Sequence, residues 1–406
     1  MFKAIINIGT MYTGSNTVIN NCSILIEKEL IKEISLDKKN HFGLSKDQII
    51  DANNKIIIPG FIDGHTHPIF HGSRAFEIDY KLQGMSYSQI AEKGGGINYT
   101  TSKTREASKK QLKSNLKAFC DNALKTGTTS AEIKTGYHLN SEGELLELEI
   151  IEEVNNEHEM TLIPTFLGAH LVPKEFKNNP EDYVNLIIEM ISEVKNQGIA
   201  HFTDVFCDKG AFTVDQTMAI IKESINHNIP VRLHGEEIVR TGIAQEAATK
   251  YGGKWIKSVD HLLKATYEDF EILAKNGITA TFMPIGPIVL FDQQWPQYNE
   301  FSNIQNLLIG LGSDFNPNSW FYSMQTVMSL ATYFMKIPPH QGLISATKNN
   351  ANSLLLQERG ILEVGMKADL VLMNVENVSE ISYQFGANNV DKVLKEGKLI
   401  IENRKT

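Results

Sequence analysis

Over the first sixty residues, apolar positions come in short runs at 3–8, 22–26 and 30–35, punctuated by Gly, Asn and Asp/Lys. That spacing has no helical period and predicts a small β unit. From about Ile56 the pattern changes to short apolar runs alternating with longer amphipathic ones, as in a parallel sheet with crossover helices. The strand-like runs are 57–63, 128–133, 162–167, 202–206, 230–233, 259–262, 278–282 and 307–312. Between them Leu112, Leu116, Phe119 and Ala123, or Tyr183, Leu186, Ile187, Met190, Ile191 and Val194, recur at helical spacing. Eight strands alternating with helices predict an α/β protein built on a closed (β/α)8 TIM barrel.

After a helix expected over 345–356, β character returns at 369–373 and 392–394, with Gly360, Gly365 and Gly397 as turns. A lone two-stranded hairpin is marginal and needs partners. The two ends are therefore expected to form one small β-sandwich-like composite domain, 1–58 with 357–406, beside a barrel over 59–356. The length agrees, since a barrel takes roughly 250 residues and leaves a remainder of small-domain size.

Composition narrows the function rather than the fold. The chain carries 48 acidic and 39 basic residues for a net charge of −9, and no basic run exceeds a pair. Nucleic acid is a poor partner for such a surface, and a small-molecule substrate is expected. Cys22, Cys120 and Cys207 form no CxxC pair and read as free thiols of a reducing compartment. The first residues lack the pattern of a secretion signal, and no apolar run is long enough for a membrane span, so a cytoplasmic protein without membrane partners is expected.

In this fold chemistry belongs at the C-terminal ends of the barrel strands. His65 and His67 follow the first strand, and their period-two spacing puts both rings on one side of an extended chain. His234 ends the fifth strand, His261 the sixth and Asp314 the eighth. Each alone is an ordinary strand-end residue. Together, three imidazoles and a carboxylate from this set, with an open position for water, suit zinc or iron(II). Glu237, three residues beyond His234, is a candidate general base, and Asp314 and His261 are candidates to move the proton and stabilise the oxyanion.

At these residues the chain resembles the amidohydrolase superfamily. More narrowly it is similar to the imidazolonepropionases, through Gly72-Ser-Arg-Ala-Phe-Glu, Leu82-Gln-Gly, Gly94-Gly-Gly-Ile, Glu132-Ile-Lys-Thr-Gly-Tyr, Phe166-Leu-Gly-Ala-His, Asp204-Val-Phe-Cys and Ser313-Asp-Phe-Asn-Pro. The resemblance implies one metal per subunit on His65, His67, His234 and Asp314, with His261 beside it and Lys209 structural rather than a carbamylated bridge. It implies a homodimer that hydrolyses the cyclic amide of 4-imidazolone-5-propanoate to N-formimidoyl-L-glutamate in histidine degradation. It also implies Arg74 as the bidentate partner of the substrate carboxylate, Tyr137 and His170 at the ring, and further contacts from Tyr87, Glu237, Asn316, Asn318 and Ser319.

The chain departs from that pattern at Asn318, where Gly is usual; Asn tolerates a left-handed backbone, so the loop can keep its shape. Gly94 to Gly96 follow no strand in a phosphate-binding arrangement and read as a mobile loop over the barrel mouth. His138, next to Tyr137, stands out among the remaining histidines. The competing readings are another amidohydrolase, such as a heterocyclic deaminase or other cyclic-amide hydrolase, and a non-catalytic scaffold protein of the same fold. Arg74, Tyr137 and His170 separate the first from the main reading; the filled ligand positions weigh against the second.

Overall fold

Strands buried along their whole length need cover on both faces, which is the condition of a parallel barrel wrapped by helices. The computed structural model, which describes residues 3–292 and 294–403 apart from the side chains of 87 and 88, has that arrangement. Eight parallel strands pair in chain order: Phe61–Asp63, Thr128–Lys134, Thr161–Ala169, Phe202–Cys207, Val231–Gly235, Ile256–His261, Thr279–Phe282 and Leu308–Leu311. Helix Lys109–Lys125 buries Leu112, Leu116, Phe119 and Ala123, and Pro180–Gln197 buries Tyr183, Ile187, Met190, Ile191 and Val194, as their spacing predicts.

The barrel closes differently at its last seam. Between Leu308–Leu311 and Phe61–Asp63, Gly64 N–H donates to the Leu311 carbonyl at 3.2 Å, and beyond it Thr66 pairs with Phe315. Below them a buried asparagine stands in for ladder bonds. Asn350 Nδ2 donates to the Ile62 and Leu311 carbonyls at 2.7 and 2.6 Å, and its Oδ1 accepts the Leu311 N–H at 3.1 Å. Gly310 leaves room for it, since a Cβ there would lie 2.7 Å from Asn350 Oδ1. The helix expected over 345–356 is in fact a π turn, Ser345–Asn349, followed by a short α turn, Asn350–Ser353. Such turns interrupt the α-helical register where function needs it; here the interruption precedes the residue that staples the seam.

The run expected as one strand, 57–63, is two strands in two sheets. Ile56–Pro59 pairs antiparallel with Leu370–Met373, whereas Phe61–Asp63 enters the barrel. The chain changes sheet at Gly60, whose N–H donates to the Asp369 carbonyl at 2.9 Å, and a Cβ there would overlap the Thr129 side chain. The second sheet runs in the order Lys398–Glu402, Val390–Lys395, Leu370–Met373, Ile56–Pro59, Ala4–Tyr12, Val18–Glu27, Leu30–Ser35, with Ile49–Asp51 also beside Ala4–Tyr12. Both termini therefore contribute to it, around Ile5, Ile24, Ile57, Leu370 and Leu394. No helix of the described residues is long and apolar enough to cross a membrane.

Candidate active site

His65 and His67 leave the first barrel strand on one side, and His234 sits in the fifth. Their rings converge: Nε2 of His67 lies 3.0 Å from His65 Nε2 and 3.4 Å from His234 Nε2. Asp314 reaches in from across the seam, its Oδ1 3.7 Å from His67 Nε2 and 3.9 Å from His65 Nε2. Asp63 Oδ1 ties the two sides together by accepting the N–H groups of His65 and Ser313.

The far sides of two of the rings show what the cluster is for. His65 Nδ1 lies 2.7 Å from Asp260 Oδ2, and His234 Nδ1 lies 3.0 Å from Asp204 Oδ1. A carboxylate at Nδ1 fixes the proton there, so Nε2 presents a lone pair to the common centre. His65 and His234 thus turn lone pairs to a centre that His67 Nε2 and Asp314 also approach, a donor set that fits a divalent metal. Burial, then the nearby Lys134 charge, holds His65 well below the usual histidine pKa; burial and His170 do the same to His67. Neutral imidazole is the form that ligates. Burial also lifts the Asp314 carboxyl to about 6, a shift that a bound cation opposes.

Behind the rings lies a buried charge network that the sequence reading does not assign. Lys134 Nζ lies 2.5 Å from Asp204 Oδ2 and 2.8 Å from Glu132 Oε1. Arg232 Nε is 2.8 Å from Glu132 Oε1, and its Nη2 is 3.4 Å from Asp260 Oδ2 and 2.8 Å from the Gly64 carbonyl. None of these side chains reaches solvent. Breaking a buried set of this kind leaves an uncompensated charge, which makes it a rigid backing. Its sequence signal is the alternation of polar Ser130, Glu132 and Lys134 with apolar Ala131 and Ile133 in the second strand.

The loop after the fifth strand is held just as firmly. Asp208 accepts the N–H groups of Glu237, Ile238 and Val239, and Glu236 accepts those of Thr241, Gly242 and Ala244. Glu237 Oε1 is left 3.3 Å from His261 Nδ1. Burial, with Asp314 and Asp208 nearby, raises its carboxyl well above the ordinary range, and burial lowers His261 well below its own. Glu236, His261 and Asp314 all have positive φ, at 55°, 77° and 50°. Strained non-glycine backbone clustered on one site is a mark of function.

One pocket joins His67, His234, Glu237, His261 and Asp314 to Arg74, Tyr137, His170, Asn316 and Asn318. His170 stacks on His67 and directs Nδ1 at the Gly136 carbonyl, 2.9 Å away. Beneath, Glu147 accepts the Gly136 N–H and pairs with His138 Nδ1 at 2.6 Å. His138 thus supports the Tyr137 turn from below and does not line the pocket. Arg74 is paired through Nε and Nη2 with Glu77, a buried partner that the sequence reading missed.

Ser319 is buried and exchanges backbone bonds with Asn316 but is not in the lining. Asn318 does not use the expected left-handed backbone; its N–H donates to Asn316 Oδ1 and its Oδ1 accepts from Lys81 Nζ at 2.5 Å. Gly95 and Gly96, expected in a mobile loop, are buried at the start of helix Gly96–Glu106. Lys209 is exposed, outside the cluster. The Tyr87 side chain lies outside the described residues.

Residues 56–400 match the amidohydrolase family. The chain is 38% identical over 357 residues to the imidazolonepropionase of Alkaliphilus metalliredigens strain QYMF, covering 87% of this chain and 83% of that one. It is 36% identical over 395 residues to the imidazolonepropionase of Geobacillus thermodenitrificans strain NG80-2, covering 96% and 92%. In three dimensions it resembles 5-methylcytosine deaminase of Klebsiella pneumoniae liganded with 5-fluorocytosine, at TM-score 0.75 and 16% identity, covering 99% and 98%. It also resembles a variant of atrazine chlorohydrolase of Arthrobacter aurescens TC1 complexed with zinc and atraton, at TM-score 0.71 and 12% identity, covering 98% and 95%. At those identities the structural likeness speaks for the fold alone.

Proposed function

Because this chain belongs to the amidohydrolase family and, within it, to the imidazolonepropionases, we propose that it hydrolyses 4-imidazolone-5-propanoate to N-formimidoyl-L-glutamate in histidine degradation. The observation that carries this reading is a single pocket that brings a metal-ligand cluster together with Arg74, Tyr137 and His170. The ligand cluster is common to many chemistries of this barrel, and these three residues select the substrate.

A divalent ion held by His65, His67, His234 and Asp314, zinc or iron and one per subunit, supplies a water of lowered pKa and a polarised ring carbonyl when bound. Glu237 Oε1 takes the proton of the attacking water and passes it to the ring nitrogen that leaves. Its raised pKa makes it a stronger base than an exposed glutamate and suits it to both steps. The water oxygen adds to the carbonyl carbon, the C–N bond breaks, and the nitrogen keeps the transferred proton. His261, 3.3 Å from Glu237, donates to the carbonyl oxygen as it gains charge. Asp314 accepts the remaining water proton while the tetrahedral adduct collapses.

Arg74 binds the propanoate carboxylate, Tyr137 and His170 hold the ring, and Asn316 and Asn318 complete the lining. We place the enzyme in the cytoplasm as a homodimer acting on a small molecule. The test is direct: metal-loaded protein given fresh 4-imidazolone-5-propanoate should form N-formimidoyl-L-glutamate, identified by mass and NMR. Ammonia release from a heterocyclic base with the imidazolone untouched would instead make it a deaminase.

A further inference from the structure

Between the first barrel strand and its outer helix lie three helices, Glu77–Leu82, Tyr87–Glu92 and Gly96–Glu106. One buried carboxylate connects two of them to the pocket wall. Glu77 Oε1 accepts Arg74 Nε–H at 2.7 Å, and Oε2 accepts Nη2–H at 2.9 Å, a side-on fork. The same Oε1 accepts the Gly96 N–H at 2.7 Å, and a Cβ at Gly95 would lie 2.8 Å from it. Glu77 is 1% exposed and stays out of the pocket lining, which Arg74 and Ile97 enter.

We propose that Glu77 is a positioning residue that orients the Arg74 guanidinium and so sets the pocket's selectivity for a ligand bearing a carboxylate. The inference rests on the reading of Arg74 given above. A guanidinium is a flat fork, and fixing its Nε/Nη2 edge against Glu77 fixes the plane and direction of its Nη1/Nη2 end. Without that partner the long side chain samples many rotamers, and the cost of ordering it falls on ligand binding. Gly96 in turn holds Glu77 in place, so the glycine run matters through this carboxylate rather than through flexibility. The pair also couples the carboxylate subsite to Ile97, which follows Gly96 into the pocket.

The test compares steady-state kinetics of the metal-loaded wild type, Glu77→Gln, Arg74→Ala and the double variant. Gln keeps one acceptor but turns an N–H donor toward a guanidinium that itself only donates. Glu77→Gln should raise KM about three- to tenfold, the worth of one pre-ordered side chain, and leave kcat within about twofold, the mark of lost binding rather than lost chemistry. The double variant should be no worse than Arg74→Ala alone, since Glu77 acts through Arg74.

An unchanged KM in Glu77→Gln, beside a raised KM in Arg74→Ala, would overturn the role of Glu77 and leave that of Arg74 standing. An unchanged KM in Arg74→Ala would overturn both. Should Glu77→Gln fail to fold, Glu77→Asp keeps the charge but shortens the reach, and a raised KM at normal kcat supports the proposal. Loss of fold in both variants would mean a purely structural ion pair and overturn it.

Discussion

The two walls of the pocket are built by opposite means. On the ligand wall every group stands at the end of a barrel strand, and His65 and His234 are backed by Asp260 and Asp204, which are backed in turn by Lys134 and Arg232. On the other wall Arg74 and Asn318 stand off the barrel strands, Arg74 paired with Glu77 and Asn318 tied to Asn316 and to Lys81 behind it. The first wall is over-determined by the scaffold; the second is adjustable without disturbing the barrel. The difference teaches where the reaction type and the substrate choice reside, since chemistry needs fixed geometry and specificity is carried by loops on a rigid frame.

That contrast can be broken or sharpened in order of expected effect. Glu237→Gln should lower kcat about 10²- to 10⁴-fold with metal content unchanged. In wild type, activity should fall as pH falls through the Glu237 pKa, because the base must be ionised, and the variant should lack that limb. Asp260→Asn should weaken metal binding about 10- to 100-fold, read by competition with a chelator, because His65 loses the partner that fixes its tautomer. A defect confined to KM would mean that the backing does not serve the ligands.

Arg74→Lys should raise KM by about tenfold with kcat little changed, because an ammonium cannot reproduce the fork. An unaltered KM would place the carboxylate elsewhere. Lys81→Met should be milder, a change of about threefold from the loss of part-buried hydrogen bonds to Asn318 and the Val289 carbonyl. A larger effect would make this wall as rigid as the other.

The last prediction concerns stability rather than kinetics. Burial, with Glu147 nearby, holds the Glu144 carboxyl up at about 8 against an unfolded value of 4.5. The folded chain therefore keeps a proton that the unfolded chain releases, and stability falls as pH rises between those values, by at most about 1.4 kcal/mol per pH unit. Glu144→Gln should flatten the pH dependence of Tm across that window. An unchanged slope would assign the pH dependence to other groups.

What the sequence reveals follows the same division. The eight strands, their helices and the set His65, His67, His234, His261 and Asp314 can be read directly, because chemistry-bearing residues interrupt apolar runs at strand ends. The backing cannot be, since His65 and Asp260 meet across 195 residues and only closure of the barrel brings them together. The break at Gly60 is hidden because the apolar run continues through it while the chain moves from one sheet to the other. Glu77 escapes notice because an i, i+3 pair beside Arg74 looks like any surface ion pair until its burial is known. Asn318 invites an argument from backbone conformation, yet what it contributes is a side-chain oxygen to Lys81.

Imidazolone hydrolysis in this pocket is expected to depend on one ion at the strand-end cluster. The most direct measurement is titration of metal-stripped protein with zinc or iron(II), following hydrolysis of 4-imidazolone-5-propanoate and bound metal together. Activity should rise with binding and saturate at about one ion per chain. Full hydrolysis by metal-free protein, or saturation with metal without hydrolysis, would contradict it.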